Sequence, residues 1–183
     1  MDKLNLTKTS EWANEKYSVV NFSNEKNNFS RIVANDPSIC LLPFDLNPNG
    51  QISHVYLAKY HDYLKENQEF KCLTDLIDLD KTDSEFESIQ ISLNDELGLT
   101  DIDVNDVYYL GTINHNIPFS KEYKCFAINL TNYSDDPSGF TPKRDSDDSA
   151  LQVVEKVKFN KLLTGEINDS LALSASFLLM SYK

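Results

Sequence analysis

The segment 82–99 constrains the fold most, because its pattern allows only one kind of secondary structure. Four large apolar side chains recur there at helical spacing, namely Phe86, Ile89, Leu93 and Leu97. Thr82 or Asp83 can cap the start of the helix, and Glu85 lies in its first turn. Gly98 provides the left-handed residue that ends many helices. The pattern predicts an amphipathic helix that must pack one face against another layer.

Short apolar runs on both sides of this helix predict a sheet. They fall at 16–23, 29–34, 38–46, 54–64, 103–115, 124–132 and 150–159. The first two runs are separated by the turn-rich NEKNN and predict a hairpin. A final helix is predicted at 160–181. Strands with one central and one terminal helix indicate an α/β or α+β domain.

The remaining segments are polar. Residues 1–16 are predicted to be an N-terminal arm, loosely attached or a short helix, before one domain at 17–183. Residues 65–70 are predicted to be a polar connection. The stretch 133–149 is acidic and rich in Pro, Ser and Gly, which is typical of a loop.

Charge restricts the partners. The chain has 17 Lys and Arg against 29 Asp and Glu, a net charge of -12, which disfavours nucleic acid and membrane surfaces. No apolar run approaches the roughly 20 residues of a membrane span, and the first residues lack the apolar core of a secretory signal.

Three cysteines without CxxC spacing are expected to be core residues of a cytoplasmic protein. Few arginines and many asparagines indicate an AT-rich genome, bacterial or viral, and a virion component if viral.

The sequence SEFESIQISLNDELGL (84–99) resembles the Nudix box of the Nudix hydrolases, G-x5-E-x7-R-E-U-x-E-E-x-G-U with U aliphatic. The end of the motif is matched by Leu93, Asp95, Glu96, Gly98 and Leu99. Asp83 falls at the first glutamate. Three positions depart from the motif: Ile77 for glycine, Ile91 for arginine and Ser92 for glutamate.

The rest of the chain is similar to the ADP-ribose pyrophosphatase branch of this family. CLTDLIDLDKTD takes the place of its Leu-Pro-Ala-Gly-Leu-Ile-Asp-x-Gly-Glu segment, and TGEINDSLALSASFLLM looks like its terminal helix. The resemblance covers about residues 17–181. It implies a Nudix-like α/β/α sandwich with a mixed central sheet, a box helix at 83–97 and a C-terminal helix.

The resemblance also implies a metal site. Box carboxylates of the family gather Mg²⁺, which prefers hard oxygen ligands. Asp83, Asp95 and Glu96 are the metal ligands that the resemblance implies, and Asp147 or Asp148 of the acidic loop is the implied catalytic base. Substrate-binding residues are not assigned.

Each of these residues also has a simpler interpretation. Asp95 and Glu96 can be ordinary surface charges, Asp83 a helix cap, and the acidic loop a solvated charge run. Three scattered histidines show no ligand spacing: His54, His61 and His115. Trp12 and the Tyr108–Tyr109 pair fit packing better than stacking on a ligand.

These observations favour a non-hydrolytic or catalytically impaired Nudix-fold domain that acts as a binding or assembly module. It would work without a cofactor and with protein partners or other copies of itself. The alternative is a Mg²⁺-dependent pyrophosphohydrolase of nucleoside-diphosphate-linked compounds such as ADP-ribose or nucleotide sugars. A second alternative is a sensor that binds a nucleotide without turnover.

Overall fold

The computed structural model describes residues 7–13, 17–23, 28–34, 38–62, 67–77, 84–115, 119–133 and 153–182. The strands are β1 (Thr7–Ala13), β2 (Tyr17–Ser23), β3 (Asn28–Ala34), β4 (Ser38–Leu46), β5 (Ile52–Asp62), β6 (Asn67–Lys71), β7 (Leu73–Leu76), β8 (Val107–His115), β9 (Phe119–Asn129) and β10 (Val153–Lys158). The helices are α1 (Glu85–Leu97), α2 (Asn160–Leu163) and α3 (Ser170–Ser181), with a short 3-10 helix at Val104–Asp106.

All ten strands belong to one mixed sheet. Its order is β1-β2-β3-β9-β4-β5-β10, with β6 beside β5, β7 beside β4 and β8 beside β9. Strand β9 runs parallel to β3 and β4, and the other pairs are antiparallel. The predicted hairpin is confirmed as β2 and β3.

Strand β4 shows why helices cover both faces of the sheet. Its residues from Ser38 to Asp45 are all buried, although successive side chains of a strand point to opposite faces. Ile39 and Leu41 join the core cluster that contains the apolar side of α1, whereas Cys40 and Leu42 join the cluster beneath α3. The predicted α/β/α sandwich with a mixed central sheet is therefore confirmed.

Helix α1 has a defined cap at each end. The Ser84 hydroxyl accepts a hydrogen bond from the Glu87 amide at 3.2 Å, so the cap is Ser84 and not Thr82 or Asp83. The helix begins two residues later than predicted. Its other end is Gly98, as predicted, with φ of 69°.

Replacing Gly98 with alanine should lower the free energy of unfolding by about 1–2 kcal/mol, because a Cβ is unfavourable in the left-handed conformation. Asparagine tolerates this conformation better, so Gly98→Asn is the matched control and should lose less. Urea unfolding of both variants tests this. Equal losses of unfolding free energy in the two variants would show that the left-handed backbone conformation does not explain the glycine at position 98.

Two polar segments are strands, which corrects the prediction for each. The described part of the segment 1–16 is β1, paired along its length with β2, rather than a loose arm or a short helix. The predicted polar connection at 65–70 lies largely in β6, which pairs with β5. In both cases the backbone pairs with a neighbouring strand despite polar composition, because tertiary context overrides intrinsic preference.

The C-terminal region also differs from its prediction. A single helix at 160–181 is wrong, because α2 ends after one turn and Gly165 follows with φ of 78°. Helix α3 then begins with its own cap, since the Asp169 carboxylate accepts a hydrogen bond from the Ala172 amide at 2.9 Å.

The three cysteines are core residues, as predicted. Cys40, Cys72 and Cys125 are buried free thiols in the cluster beneath α3. The Sγ atoms of Cys40 and Cys72 lie 3.1 Å apart. In the part of the chain that the structure describes, no helix is both long and apolar enough to cross a membrane.

Candidate functional site

The C-terminal half of α1 carries the three polar side chains that the box resemblance places together. Ser92 and Glu96, one helical turn apart, are 1% and 4% exposed, whereas Asp95 is half-buried. The surface-charge interpretation therefore fails for Glu96. A carboxylate this buried requires polar partners, since an unpaired buried charge is strongly unfavourable, and Glu96 has such an interaction.

Strand β7 brings a further carboxylate to this site, which sequence reasoning missed. The Ser92 hydroxyl donates a hydrogen bond to Oδ2 of Asp75 at 2.6 Å. Asp75 is half-buried, and β7 is held there by antiparallel pairing with β4. A hydroxyl donating to a carboxylate makes a short, charge-assisted bond. Ser92, at the position of a box glutamate, thus acts as a donor to an acid instead of being an acid.

The two other departures from the box are also visible. Ile91, at the arginine position, is 45% exposed and offers no charged hydrogen bond to a neighbouring carboxylate. Ile77, at the position of the opening glycine, is buried in the cluster beneath α1. Both positions therefore carry apolar side chains, one in solvent and one in the core.

The remaining predicted site residues cannot be placed. Asp83, Asp147 and Asp148 lie outside the described residues. Across the described ranges, no group of three or more His, Cys, Asp or Glu side chains is arranged to hold a metal ion. The described carboxylates alone thus do not fit a Mg²⁺ site, and the assignment of Asp83, Asp95 and Glu96 as ligands stays a prediction.

A second polar cluster lies at the other end of β4. Asp45 is 5% exposed, and its Oδ2 accepts a hydrogen bond from the Tyr56 hydroxyl at 2.9 Å and an ion pair from Lys156. Strand register explains the cluster, because Tyr56 of β5 stands opposite Lys156 of β10. The other carboxylate oxygen, Oδ1, is buried and has no hydrogen-bond partner among the residues that the structure describes. This group is a buried ion pair rather than a reactive site.

The ion pair changes the protonation of its neighbours. Burial alone would lower the pKa of Lys156, but hydrogen bonds to Asp45 and Tyr56 outweigh it and the pKa lies above its usual value. The pKa of His54 is lowered, first by burial and then by the nearby Lys156 charge. The lowered pKa favours the neutral form of the imidazole.

His54 also lines an open cavity of about 430 Å³ at the ends of β5 and β10. Its walls include Ile52, Lys158, Phe159 and Leu163. None of the cavity residues belongs to the α1 site. Its polar lining residues are Ser53, His54, Lys158 and Asn160, and the Ser53 hydroxyl lies 3.1 Å from Nδ1 of His54. No carboxylate is among the described residues that line it.

Solved structures resemble this chain over most of its length. An ADP compounds hydrolase superposes with a TM-score of 0.59 at 16% identity, covering 97% of this chain and 91% of that one. The NUDIX domain of Shewanella oneidensis NrtR, solved with ADP ribose, gives 0.55 at 9% identity, covering 79% and 87%. The C-terminal domain of mouse MUTYH, solved with human PCNA, gives 0.50 at 12% identity, covering 80% and 88%.

No family model and no curated protein matches the sequence. At these identities a structural likeness establishes the fold. The architecture is that of a Nudix-type domain. The chain has the Nudix fold, as the resemblance predicted, with serine where the box has a glutamate.

Proposed function

We propose that this chain is a catalytically impaired Nudix-fold domain that serves as a binding or assembly module. The observation that carries the proposal is the bond between Ser92 and Asp75. Ser92 carries no charge, whereas the glutamate of the box would supply a carboxylate for metal binding at this position. The Ser92 hydroxyl also donates a hydrogen bond to one oxygen of the Asp75 carboxylate. The site is thereby stabilised by its own hydrogen bond and does not depend on a cation.

The chemistry of pyrophosphate hydrolysis explains why this matters. A metal must neutralise the phosphate charge and activate water, and Mg²⁺ in such sites is held by carboxylate oxygens together with the substrate phosphates. Loss of one positioned catalytic group commonly lowers the rate by about 100-fold or more. The substitution at Ser92 and the apolar Ile91 remove two such groups together.

Calorimetric titration with Mg²⁺ and Mn²⁺, with and without ADP-ribose, tests the proposal. We expect no metal-dependent hydrolysis when AMP release is followed on the same sample. The matched sample is Asp75→Asn, in which Ser92 keeps an acceptor but the carboxylate is gone. Metal-dependent turnover by the natural sequence would refute the proposal.

The alternative is an active Mg²⁺-dependent pyrophosphohydrolase, and Asp75 is the observation that favours it. Its carboxylate lies 2.6 Å from the Ser92 hydroxyl, which stands at the box position, and could replace the missing glutamate as a metal ligand. Asp83 and Asp95 would complete the metal set, with Asp147 or Asp148 as base. In that case Asp75→Asn should lower turnover by about 100-fold. An ADP compounds hydrolase shares this fold.

A nucleotide sensor is the second alternative. The NUDIX domain of NrtR was solved with ADP ribose, so a domain of this fold binds such a ligand. Saturable ADP-ribose binding without AMP release would identify this function. The low number of arginines, only Arg31 and Arg144, weakens the case because diphosphates are commonly held by guanidinium groups.

Protein partners fit the proposed module best. The C-terminal domain of mouse MUTYH was solved bound to human PCNA, and it shares this fold. The net charge of -12 favours a protein over nucleic acid or anionic lipid as partner. We place the module in the cytoplasm, or in a virion if the source is viral, and assign it no cofactor.

A further inference from the structure

The three thiols of the core cluster beneath α3 lie side by side on neighbouring elements. Cys40 is on β4, and Cys125 stands directly opposite it on β9. Cys72 lies between β6 and β7, and β7 is the strand that pairs with β4 by residues 38–41. All three cysteines are free and no more than 3% exposed. The α1 site and the proposed function use none of them.

Two of these thiols are in direct contact. The Cys40 thiol donates a hydrogen bond to the Cys72 sulfur, and the two Sγ atoms are 3.1 Å apart. Strand register explains the contact. Cys40 stands opposite Thr74, and Cys72 lies two residues before Thr74, so both thiols point to the same face of the sheet. A disulfide needs a sulfur–sulfur distance of about 2.0 Å, so an approach of about 1 Å would allow the bond.

Cys72 is better placed than Cys125 to make this movement. It is the one residue between two strands, and its amide donates to Oδ2 of Asp169 at 3.0 Å rather than to a strand carbonyl. Cys125 is paired on both sides, with Cys40 of β4 and with Gly111 of β8. A shift of Cys125 would break backbone hydrogen bonds of two strand pairs, whereas a shift of Cys72 strains a bond to one side chain.

We propose that Cys40 and Cys72 form a reversible redox site, which a small peroxide oxidises to an intramolecular disulfide. The Cys72 sulfur attacks the peroxide, so that a sulfur–oxygen bond forms, the oxygen–oxygen bond breaks and one water leaves. The Cys40 sulfur then attacks the Cys72 sulfur, so that the sulfur–sulfur bond forms, the sulfur–oxygen bond breaks and a second water leaves. The two thiols give up two electrons to the peroxide, and their protons end in the two waters.

The closed core makes this oxidation slow. A hydrogen bond with Cys125 lowers the pKa of Cys40, but the hydrogen bond with Cys72 and burial outweigh it and raise the pKa well above its usual value. Because the thiolate is the reactive form, the reaction proceeds when β7 opens locally. Strand β7 has four residues and pairs, among the described strands, with β4 alone. Such an element opens at a lower free energy than the central strands.

The bridge would restrain the strand that supports the α1 site. Strand β7 begins directly after Cys72 and carries Asp75, which accepts the hydrogen bond from Ser92. A covalent link from Cys72 to β4 ties the start of this strand to the centre of the sheet. The redox site does not depend on whether the α1 site is catalytic, because its thiols belong to the cluster beneath α3.

Peptide mapping of the full chain after exposure to hydrogen peroxide tests the proposal. Free thiols are blocked with iodoacetamide in denaturant, and trypsin then leaves each cysteine in its own peptide, 32–59, 72–81 and 125–143. The natural chain should give peptide 32–59 joined to 72–81, two hydrogen atoms lighter than their sum, and peptide 125–143 blocked. Dithiothreitol before the blocking step should return all three peptides to the blocked form.

Cys125→Ala is the matched control for Cys72→Ala. Each variant removes one thiol of the same cluster, but Cys125→Ala should leave the bridge intact and Cys72→Ala should abolish it. Chain oxidised in urea gives the pairing expected without native contacts, and this comparison needs no variant. The proposal is overturned if the native chain stays fully blocked after peroxide, joins 32–59 to 125–143, or gives the same mixture of pairings as the unfolded chain.

Thermal unfolding provides a second measurement on the natural chain. The bridge closes the segment between residues 40 and 72 and so restricts the unfolded state. The oxidised chain should therefore unfold at a midpoint about 5–10 °C higher than the reduced chain, and dithiothreitol should reverse the shift. A midpoint that oxidation leaves unchanged or lowers would contradict the proposal, because the bridge would not then be compatible with the native arrangement of β4 and β7.

Discussion

Replacing Lys156 with methionine is expected to lower the free energy of unfolding by about 3–5 kcal/mol, because it leaves a buried carboxylate without its cation. Asp45 is 5% exposed, and its Oδ2 is held by Lys156 and the Tyr56 hydroxyl. Its Oδ1 is already buried and accepts no hydrogen bond from the described part of the chain. Methionine keeps the length and apolar contacts of the side chain, so urea unfolding reports the lost charge.

Lys158→Met is the control for this prediction. Lys158 lies two residues further along β10 and on the same face, but it is exposed, so its loss should change stability by no more than about 0.5 kcal/mol. The double variant Asp45→Asn with Lys156→Met removes both charges and should recover most of the stability. Similar losses for Lys156→Met and Lys158→Met would show that the Asp45 carboxylate does not need its cation.

The sequence predicted the elements whose side-chain pattern determines their structure. Helix α1 was located because its apolar residues repeat at helical spacing and Gly98 must take a left-handed conformation. The strands β4, β5 and β9 were located because apolar runs of their length are typical of buried strands. The Nudix resemblance then provided the layer arrangement, which no local pattern specifies.

The strands of polar composition were not predicted. Strands β1 and β6 are polar, and they are strands because a neighbouring strand satisfies their backbone groups. The break between α2 and α3 was missed for another reason. Both segments have helical composition, and only Gly165 and the cap at Asp169 mark the interruption.

The α1 site shows the same limit. Ser92 was recognised as a departure from the box, but its consequence depends on Asp75, seventeen residues earlier in the chain. A signal for Asp75 was present, since this acid precedes Leu76 and Ile77, whereas the family segment has no acid before its Leu-Ile. Only the pairing of β7 with β4 shows that this carboxylate reaches Ser92.

Substituting glutamate for Ser92 should therefore have a large and metal-dependent effect. Ser92 is 1% exposed and bonded to Asp75 at 2.6 Å, so Ser92→Glu places a second carboxylate directly against the first. Relative to Ser92→Gln, which has nearly the same shape without the charge, we expect a further loss of about 3–5 kcal/mol from the unpaired buried charge. Thermal unfolding of the two variants measures this difference.

Millimolar Mg²⁺ should restore much of the stability of Ser92→Glu, because a ligand that binds only the folded state stabilises it. The glutamate, Asp75 and Glu96 would then offer hard oxygen ligands of the kind that Mg²⁺ prefers. Ser92→Gln should not respond, since its amide adds no charge. If Mg²⁺ stabilises Ser92→Glu and Ser92→Gln equally, the cation binds elsewhere. If the two variants are equally stable without Mg²⁺, the Asp75 side chain has moved away from the new glutamate. If Mg²⁺ stabilises Ser92→Glu and not Ser92→Gln, residue 92 alone determines whether the site is stable with its own hydrogen bond or requires a metal ion.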